Sequence, residues 1–201
     1  MNIKTKKSLG QNFLIDRDVL EKIVSTVNIN DKEILEIGPG SGNLTNYILK
    51  KNPKQFFVVE KDDELALLLK EKFDNDIKII NDDILKIDEN KISEQKLTVF
   101  GNLPYNISTE ILSKWIINIR KIFWFESFVL MFQKEVADRI IAEPNSSNYG
   151  RLSILANWKL NVKKIIDIKP KSFSPRPKID SSLLLFTPKE NFFELKNAKN
   201  L

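Results

Sequence analysis

The sequence predicts an α/β fold: a seven-stranded, mostly parallel sheet with helices on both faces and an antiparallel last strand. Three observations lead there. Short apolar runs alternate with segments of helical periodicity along most of the chain, the pattern of strands joined by crossover helices. The runs are continuously apolar, as strands covered on both faces are. The last two runs are joined by a connection too short and too rich in proline for a crossover helix, so they should pair antiparallel.

Taken in order, residues 1–15 are basic and then turn apolar. Asp16 is placed to cap a helix whose stripe is Val19, Leu20, Ile23, Val24 and Val27. Residues 28–32 turn. Residues 33–37 form strand one and run into Gly38-Pro39-Gly40-Ser41-Gly42. The next helix carries Leu44, Tyr47, Ile48 and Leu49 and is stopped by Asn52-Pro53. Strand two, 55–60, ends in Glu60. A Leu-rich helix over 63–73 leads to strand three, 77–81, and then to Asp82-Asp83. Residues 84–95 are polar and mixed, with no clear period. Strand four is 97–100, and a helix from about Ser108 carries Ile111, Leu112, Trp115 and Ile116. Strand five is 127–133, a helix spans 134–142 up to Glu143-Pro144, and 145–148 is a loop. Helix 152–158, strand six at 161–168 and strand seven at 180–187 follow. Residues 169–178, with Pro170, Pro175 and Pro177, should lack regular structure. The reading is one domain over 1–188, with a basic and helical N-terminal extension, and a polar tail over 189–201.

Composition narrows the chemistry. A chain of 201 residues with 42% apolar content suits one core. It has no Cys and no His, which excludes zinc sites built on those ligands, cysteine nucleophiles and histidine bases. No apolar run approaches a membrane span. Lys4, Lys6 and Lys7 are not followed by the apolar segment of a signal peptide. These features point to a cytoplasmic protein. The net charge of +5 is concentrated between Lys159 and Lys178, where seven basic residues face one acid, Asp167. A cationic stripe fits a polyanion such as nucleic acid. The plain alternative is a Lys-rich composition that scatters charge over a solvated face.

The glycine-rich turn after strand one lets backbone approach a ligand closely. It is not the dinucleotide fingerprint, because the sixth position counted from Gly38 is Asn43. No Lys-Ser or Lys-Thr pair makes it a phosphate loop. A nucleoside with a charged amino-acid end fits better. Glu60 lies 22 residues after Gly38, where a carboxylate can accept both ribose hydroxyl hydrogens. Asp83, after strand three, is placed for an adenine amine. Either acid alone reads as a solvated loop residue; the turn and both acids together form the pattern of S-adenosylmethionine-dependent methyltransferases, which the chain resembles over nearly its whole length. The resemblance implies the Rossmann-like class I methyltransferase fold and S-adenosyl-L-methionine as cofactor.

After strand four comes Gly101-Asn102-Leu103-Pro104-Tyr105-Asn106-Ile107-Ser108-Thr109. Asn102 to Tyr105 looks like the Asn/Asp-Pro-Pro-Tyr motif of amino-group methyltransferases. The chemistry explains the residue types. An adenine exocyclic nitrogen is a poor nucleophile because its lone pair is delocalised into the ring. Acceptors aimed at its hydrogens, the Asn102 side-chain oxygen and the Leu103 carbonyl, favour a pyramidal nitrogen. Pro104 fixes φ and aims the backbone, and the Tyr105 ring can stack on the base. The bland reading is an ordinary Asn-x-Pro turn with a packing Tyr.

Together with Gln11-Asn12-Phe13-Leu14, Gln133 to Arg139, Tyr149 to Ser153 and Phe173 to Ser181, this stretch resembles the small-subunit rRNA adenine N6,N6-dimethyltransferases, the kasugamycin-susceptibility family. The resemblance implies dimethylation of two adjacent adenosines in a hairpin loop near the 3′ end of small-subunit rRNA, within an immature subunit late in its assembly. It implies that Asn12 and Leu14 close over the methionine end of the cofactor, and that Gly38, with Gly40 in the same turn, lies under it. Glu60 would bind the ribose, Asp83 the adenine, and Asn102 the transferred-methyl region. Phe173 would stack on the target base opposite Tyr105; its bland alternative is a core ring anchoring the Pro-rich loop. Lys4, Lys6, Lys7, Lys169, Lys171, Arg176 and Lys178 would face RNA. A monomer without metal or membrane contact is expected. Family members usually continue into a small helical C-terminal domain, so 189–201 reads as the stub of one, with cofactor binding retained and RNA affinity or discrimination reduced. Three other readings stand beside this one: a large-subunit enzyme of the erythromycin-resistance type, a non-catalytic ribosome-assembly factor on the same fold, and, more weakly, a DNA adenine methyltransferase.

Overall fold

The computed structural model describes residues 11–119 and 122–193; Lys4, Lys6 and Lys7 lie outside them. The strands are β1 (Phe13–Leu14), β2 (Glu33–Ile37), β3 (Gln55–Val59), β4 (Lys78–Ile80), β5 (Leu97–Asn102), β6 (Phe125–Gln133), β7 (Leu160–Ile168), β8 (Phe173–Ser174) and β9 (Ser181–Pro188). The helices are α1 (Arg17–Val24), α2 (Asn43–Leu49), α3 (Asp63–Phe73), α4 (Ser108–Asn118), α5 (Lys134–Ile140) and α6 (Arg151–Lys159). Seven strands form one sheet in the order β4-β3-β2-β5-β6-β9-β7. From β4 to β6 every pairing is parallel, whereas β9 is antiparallel to both β6 and β7. The last strand therefore fills a slot inside the sheet, between β6 and β7.

Each face carries its own apolar cluster. On one, Ile111, Leu112 and Trp115 of α4, Ala137 and Ile140 of α5 and Leu155 of α6 pack against Val99, Phe128 and Phe186. On the other, Leu20 and Ile23 of α1, Ile48 of α2 and Leu69 of α3 pack against Ile34, Val58 and Phe100. The helix starts follow from sequence. Asp16 accepts from the N–H groups of Asp18 and Val19 at α1, and Asp62 accepts from Glu64 at α3, each satisfying donors the first helical turn leaves open.

Four features depart from the sequence reading. First, β1 pairs antiparallel with β8, so Phe13 faces Ser174 and Leu14 faces Phe173. The Pro-rich segment holds this strand and a helical turn over Pro170–Ser172; its prolines sit where no ladder N–H is needed. Second, β5 runs to Asn102, because Gly101 and Asn102 pair with Leu130 and Met131 of β6. Asn102 thus ends a strand rather than following one. Third, the mixed segment 84–95 contains a turn over Glu89–Lys91. The buried Glu89 carboxylate there accepts from Trp115 Nε1 and Lys114 Nζ, each at 2.7 Å, a polar anchor that no apolar period reveals. Fourth, the described part of the tail docks: Trp158 Nε1 donates to the Phe193 carbonyl at 2.8 Å, and the Phe192 ring meets Phe123 edge-on.

Candidate functional site

The C-terminal ends of β2, β3 and β5 open into one cavity. It is lined by residues 11–14, 36–41, 59–61, 82–84 and 102–107, with Asn43, Leu44 and Leu65. Asn12, Leu14, Gly38, Gly40, Glu60, Asp83, Asn102, Leu103, Pro104 and Tyr105 all contribute to that lining. Residues from five separate sequence segments thus meet at the crevice where open α/β sheets bind ligands.

The acids differ in electrostatic state. Glu60 is buried, and burial raises its pKa, opposed by the Asp62 and Gly40 N–H groups. Its Oε1 accepts from Asp62 N at 2.9 Å and its Oε2 from Gly40 N at 3.1 Å. The Lys61 N–H is a third backbone contact to the carboxylate, whose roughly four acceptor sites still leave capacity for a ligand hydroxyl. Asp83 is different: a hydrogen bond from Lys61 Nζ at 2.8 Å holds its pKa below the ordinary carboxylate range. Its other oxygen accepts from Leu85 N. A third acid, Glu36, lies on β2 at the cavity wall. Burial pushes it up to about 8, opposed by the hydrogen bond from Thr45 Oγ1 at 2.7 Å and reinforced by Glu60. Acceptors at two strand ends beside a glycine turn suit a nucleoside, so the residues present fit S-adenosylmethionine. Gly38 adopts φ +64°, which favours glycine, and a Cβ there would lie 4.0 Å from the Asn102 carbonyl oxygen, an ordinary contact.

Residues 11–15 cross this site as a strap. Gln11 Nε2 donates to Asp62 at 3.0 Å, and Asn43 Nδ2 donates to the Leu14 carbonyl at 2.7 Å. The Phe13 ring lies over Gly40, where an added Cβ would sit 2.7 Å from it. Ile15 N donates to the Ser172 carbonyl, and Ser172 Oγ donates to the Asp16 carboxylate at 2.7 Å, which lowers the Asp16 pKa.

At the end of β5, Asn102 Nδ2 donates to the Asn12 carbonyl at 2.9 Å. A carbonyl can only accept, so the amide is turned with its NH2 end to the strap, which leaves Oδ1 as the end available to a ligand donor. Tyr105 is half-buried, and its hydroxyl lies 2.6 Å from Ser181 Oγ.

Phe173 is not brought to this site. Its ring is 1% exposed and packs in the apolar cluster with Leu14, Ile168 and Leu183, because the β1–β8 pairing seats it there. It is a core residue in this structure, not an open stacking face opposite Tyr105. The basic stripe is also thinner than its residue count suggests. Lys159 is buried, donating from Nζ to the Ile116 and Ile119 carbonyls at the end of α4. Lys164 pairs with Asp138 and Asp167, and Lys169 with Asp180. Lys171, Arg176 and Lys178 are exposed on the loop. Sequence reasoning missed Lys61, Glu36, Asn43, Ser172 and Ser181. Only Glu36, an acid inside an apolar strand, carried a visible signal. Among the described residues, no group of three or more His, Cys, Asp or Glu is placed to hold a metal, and no helix is long and apolar enough to cross a membrane.

Comparison with known proteins agrees with this geometry. A family model described as ribosomal RNA adenine dimethylase matches residues 2–201. A "Ribosomal RNA small subunit methyltransferase A" of Pelagibacter ubique (strain HTCC1062) is 80% identical over all of this chain and 77% of its own length. One of the same name from Wolbachia sp. subsp. Brugia malayi (strain TRS) is 44% identical over 92% of this chain and 72% of its own length. Among solved structures, a dimethyladenosine transferase from Plasmodium falciparum superposes with TM-score 0.78 at 32% identity, over 89% of this chain and 64% of that one. The 23S rRNA methyltransferase ErmE, with TM-score 0.75 at 24% identity over 94% of this chain and 75% of that one, shares the fold. The chain belongs to the ribosomal RNA adenine dimethylase family.

Proposed function

We propose that this chain transfers methyl groups from S-adenosylmethionine to the exocyclic N6 of two adjacent adenosines in a hairpin loop near the 3′ end of small-subunit rRNA. The unit that acts is residues 1–188, working as a monomer in the cytoplasm on an immature subunit. The observation that carries this is the Asn102 amide, held by the Asn12 carbonyl with Oδ1 left as acceptor, in the same cavity as Glu60 and Asp83. Relatives named for the small subunit at 80% and 44% identity support the substrate.

Glu60 accepts the ribose hydroxyl hydrogens and Asp83 the adenine amine of the cofactor. The Gly38 and Gly40 backbone, with Asn12 and Leu14, would hold its methionine end. S-adenosylmethionine, when bound, supplies an electrophilic methyl group. Asn102 Oδ1 and the Leu103 carbonyl draw on the hydrogens of the target amine, so its lone pair localises on nitrogen. Tyr105 holds the ring by stacking, worth about 1–3 kcal/mol. Phe173 supports the β1–β8 pair from the core rather than touching the base. With no His or Cys in the chain, rate comes from positioning and from acceptors aimed at the charge developing on the amine. Lys169, Lys171, Arg176 and Lys178, with Lys4, Lys6 and Lys7, meet phosphates and present the loop.

The test is transfer of labelled methyl to under-methylated small subunits and, in parallel, to protein-free large-subunit rRNA. Label confined to the small-subunit RNA is the expected result. Label on the large-subunit RNA would favour the erythromycin-resistance type of enzyme, and none on either would favour a binding factor.

A further inference from the structure

We infer that Ser181 is a positioning residue for methyl transfer, acting through the Tyr105 ring. This rests on the reading that Tyr105 stacks on the target base. Tyr105 sits in the irregular segment between β5 and α4, whose other bonds are local: Ile107 N donates to the Pro104 carbonyl, and Ser108 Oγ to the Tyr105 carbonyl at 3.3 Å. Those bonds fix the turn but leave the ring free to pivot about its Cα–Cβ and Cβ–Cγ bonds. The hydroxyl bond to Ser181 Oγ, at 2.6 Å and 76 residues away in sequence, removes the swing about Cα–Cβ; the phenolic oxygen lies on the Cβ–Cγ axis, so the bond fixes where the ring sits and leaves the turn of its plane to packing.

Ser181 is a rigid partner. It is fully buried and opens β9, where it pairs with Gln133 at the end of β6 and with Ile168 at the end of β7. Its backbone is therefore held from both sides by the ladder, so its Oγ fixes the far end of the Tyr105 ring. The preceding residue, Asp180, accepts from Lys134 N through its carbonyl and pairs with Lys169 on the basic loop through its carboxylate. One residue thus joins the ring to the segment expected to grip RNA. The middle of that segment, through β8 and β1, adjoins Asn12, whose carbonyl holds Asn102. The basic loop is tied to both halves of the Asn102–Tyr105 motif.

A tethered ring serves the reaction by presenting the target nitrogen in line with the methyl group, where small displacements lower rate strongly. The tether makes no contact with the cofactor half of the cavity. Its loss should appear in the transfer step and leave cofactor affinity unchanged.

The experiment compares Tyr105→Phe, Ser181→Ala, the double variant and Tyr105→Ala. Each is measured in single-turnover transfer to under-methylated small subunits, with cofactor affinity by calorimetry and Tm alongside. Tyr105→Phe removes only the hydroxyl oxygen and keeps the stacking face. Each of the two single variants should slow transfer by roughly three- to tenfold, the fold-change of one neutral hydrogen bond. The double variant should be no slower than the slower single, since both substitutions break one bond. Cofactor affinity should stay at the wild-type value in all three. Tyr105→Phe at full rate, or losses that multiply in the double variant, would overturn the role of Ser181. So would an equal fall in cofactor affinity and Tm, which marks a merely structural bond. Full transfer by Tyr105→Ala would instead sink the stacking reading, and the inference with it. Transfer lost in Tyr105→Ala but intact in Tyr105→Phe would leave stacking standing and remove Ser181 alone.

Discussion

At the residue scale, Asn102 and Glu36 carry the most chemistry. Asn102→Ala removes the side-chain acceptor proposed for the target amine. Loss of one such group typically lowers rate by about 100- to 1,000-fold, so transfer should fall by at least about 100-fold while cofactor affinity, measured by calorimetry, changes only a few-fold. Glu36 gives a pH test. Its carboxyl is raised from an ordinary 4.5 to about 8 by burial. Between those values the folded protein keeps a proton that the unfolded chain has released, so raising the pH favours unfolding. Below 4.5 both states are protonated, and above 8 both are ionised. Stability should therefore fall as pH rises from about 4.5 to about 8, with a contribution of up to ~1.4 kcal/mol per pH unit. Glu36→Gln keeps an acceptor for Thr45 and has no proton to lose. Denaturant unfolding of the variant at pH 5, 6.5 and 8 should show that part of the slope abolished; an unchanged slope would place the linkage elsewhere.

At the element scale, the strap over residues 11–15 organises the cavity; the family resemblance gave Asn12 and Leu14 a place over it, but nothing local in the sequence showed the pairing that holds it. Strand-and-helix alternation was readable because β2, β3, β5 and β6 are short, apolar and bounded by turns. α3 could be bounded at Asp63 and Phe73 because its cap and its Leu-rich face are both local. The β1–β8 pair has no such signature. Each partner is a short stretch, Phe13–Leu14 and Phe173–Ser174, and what makes them strands is a contact across the whole chain. Phe173 shows the same limit: an aromatic in a basic, Pro-rich loop reads as a stacking face, and only the tertiary pairing buries it. Gly40 was legible as a permissive turn residue, but not as the seat of the Phe13 ring. Gly40→Ala would force a Cβ against that ring at φ +59°. It should destabilise the protein by about 1–2 kcal/mol from backbone strain alone and weaken cofactor binding further by lifting the strap. Thermal unfolding and cofactor titration read the two effects separately.

At the scale of the whole molecule, the sheet order puts Glu60 just after β3, Asp83 after β4, Asn102 at the end of β5, and Ser181, the anchor proposed for Tyr105, on β9. Sliding β9 between β6 and β7 places Ser181 within hydrogen-bond reach of Tyr105 at the site. Sequence reading found the antiparallel pairing of the last strands but not this insertion, because strand order is decided by which faces must be covered, not by local pattern. The surface follows the same logic. Counting charges marked a stripe from Lys159 to Lys178, yet burial and ion pairs withdraw Lys159 and Lys164 from it. RNA affinity should therefore respond most to Lys171, Arg176 and Lys178. Each replaced by Ala should reduce the slope of log K against log salt by roughly 0.7–0.9 for every phosphate no longer neutralised, with little dependence on RNA sequence, whereas Lys164→Ala should leave the slope nearly unchanged. The most direct measurement is nucleoside analysis of small-subunit RNA after reaction with the protein and labelled S-adenosylmethionine, run beside Asn102→Ala. The expected result is label in N6,N6-dimethyladenosine from the wild-type chain and almost none from the variant. Equal label from the two proteins, or label on any nucleoside other than adenosine, would contradict the assignment of this cavity.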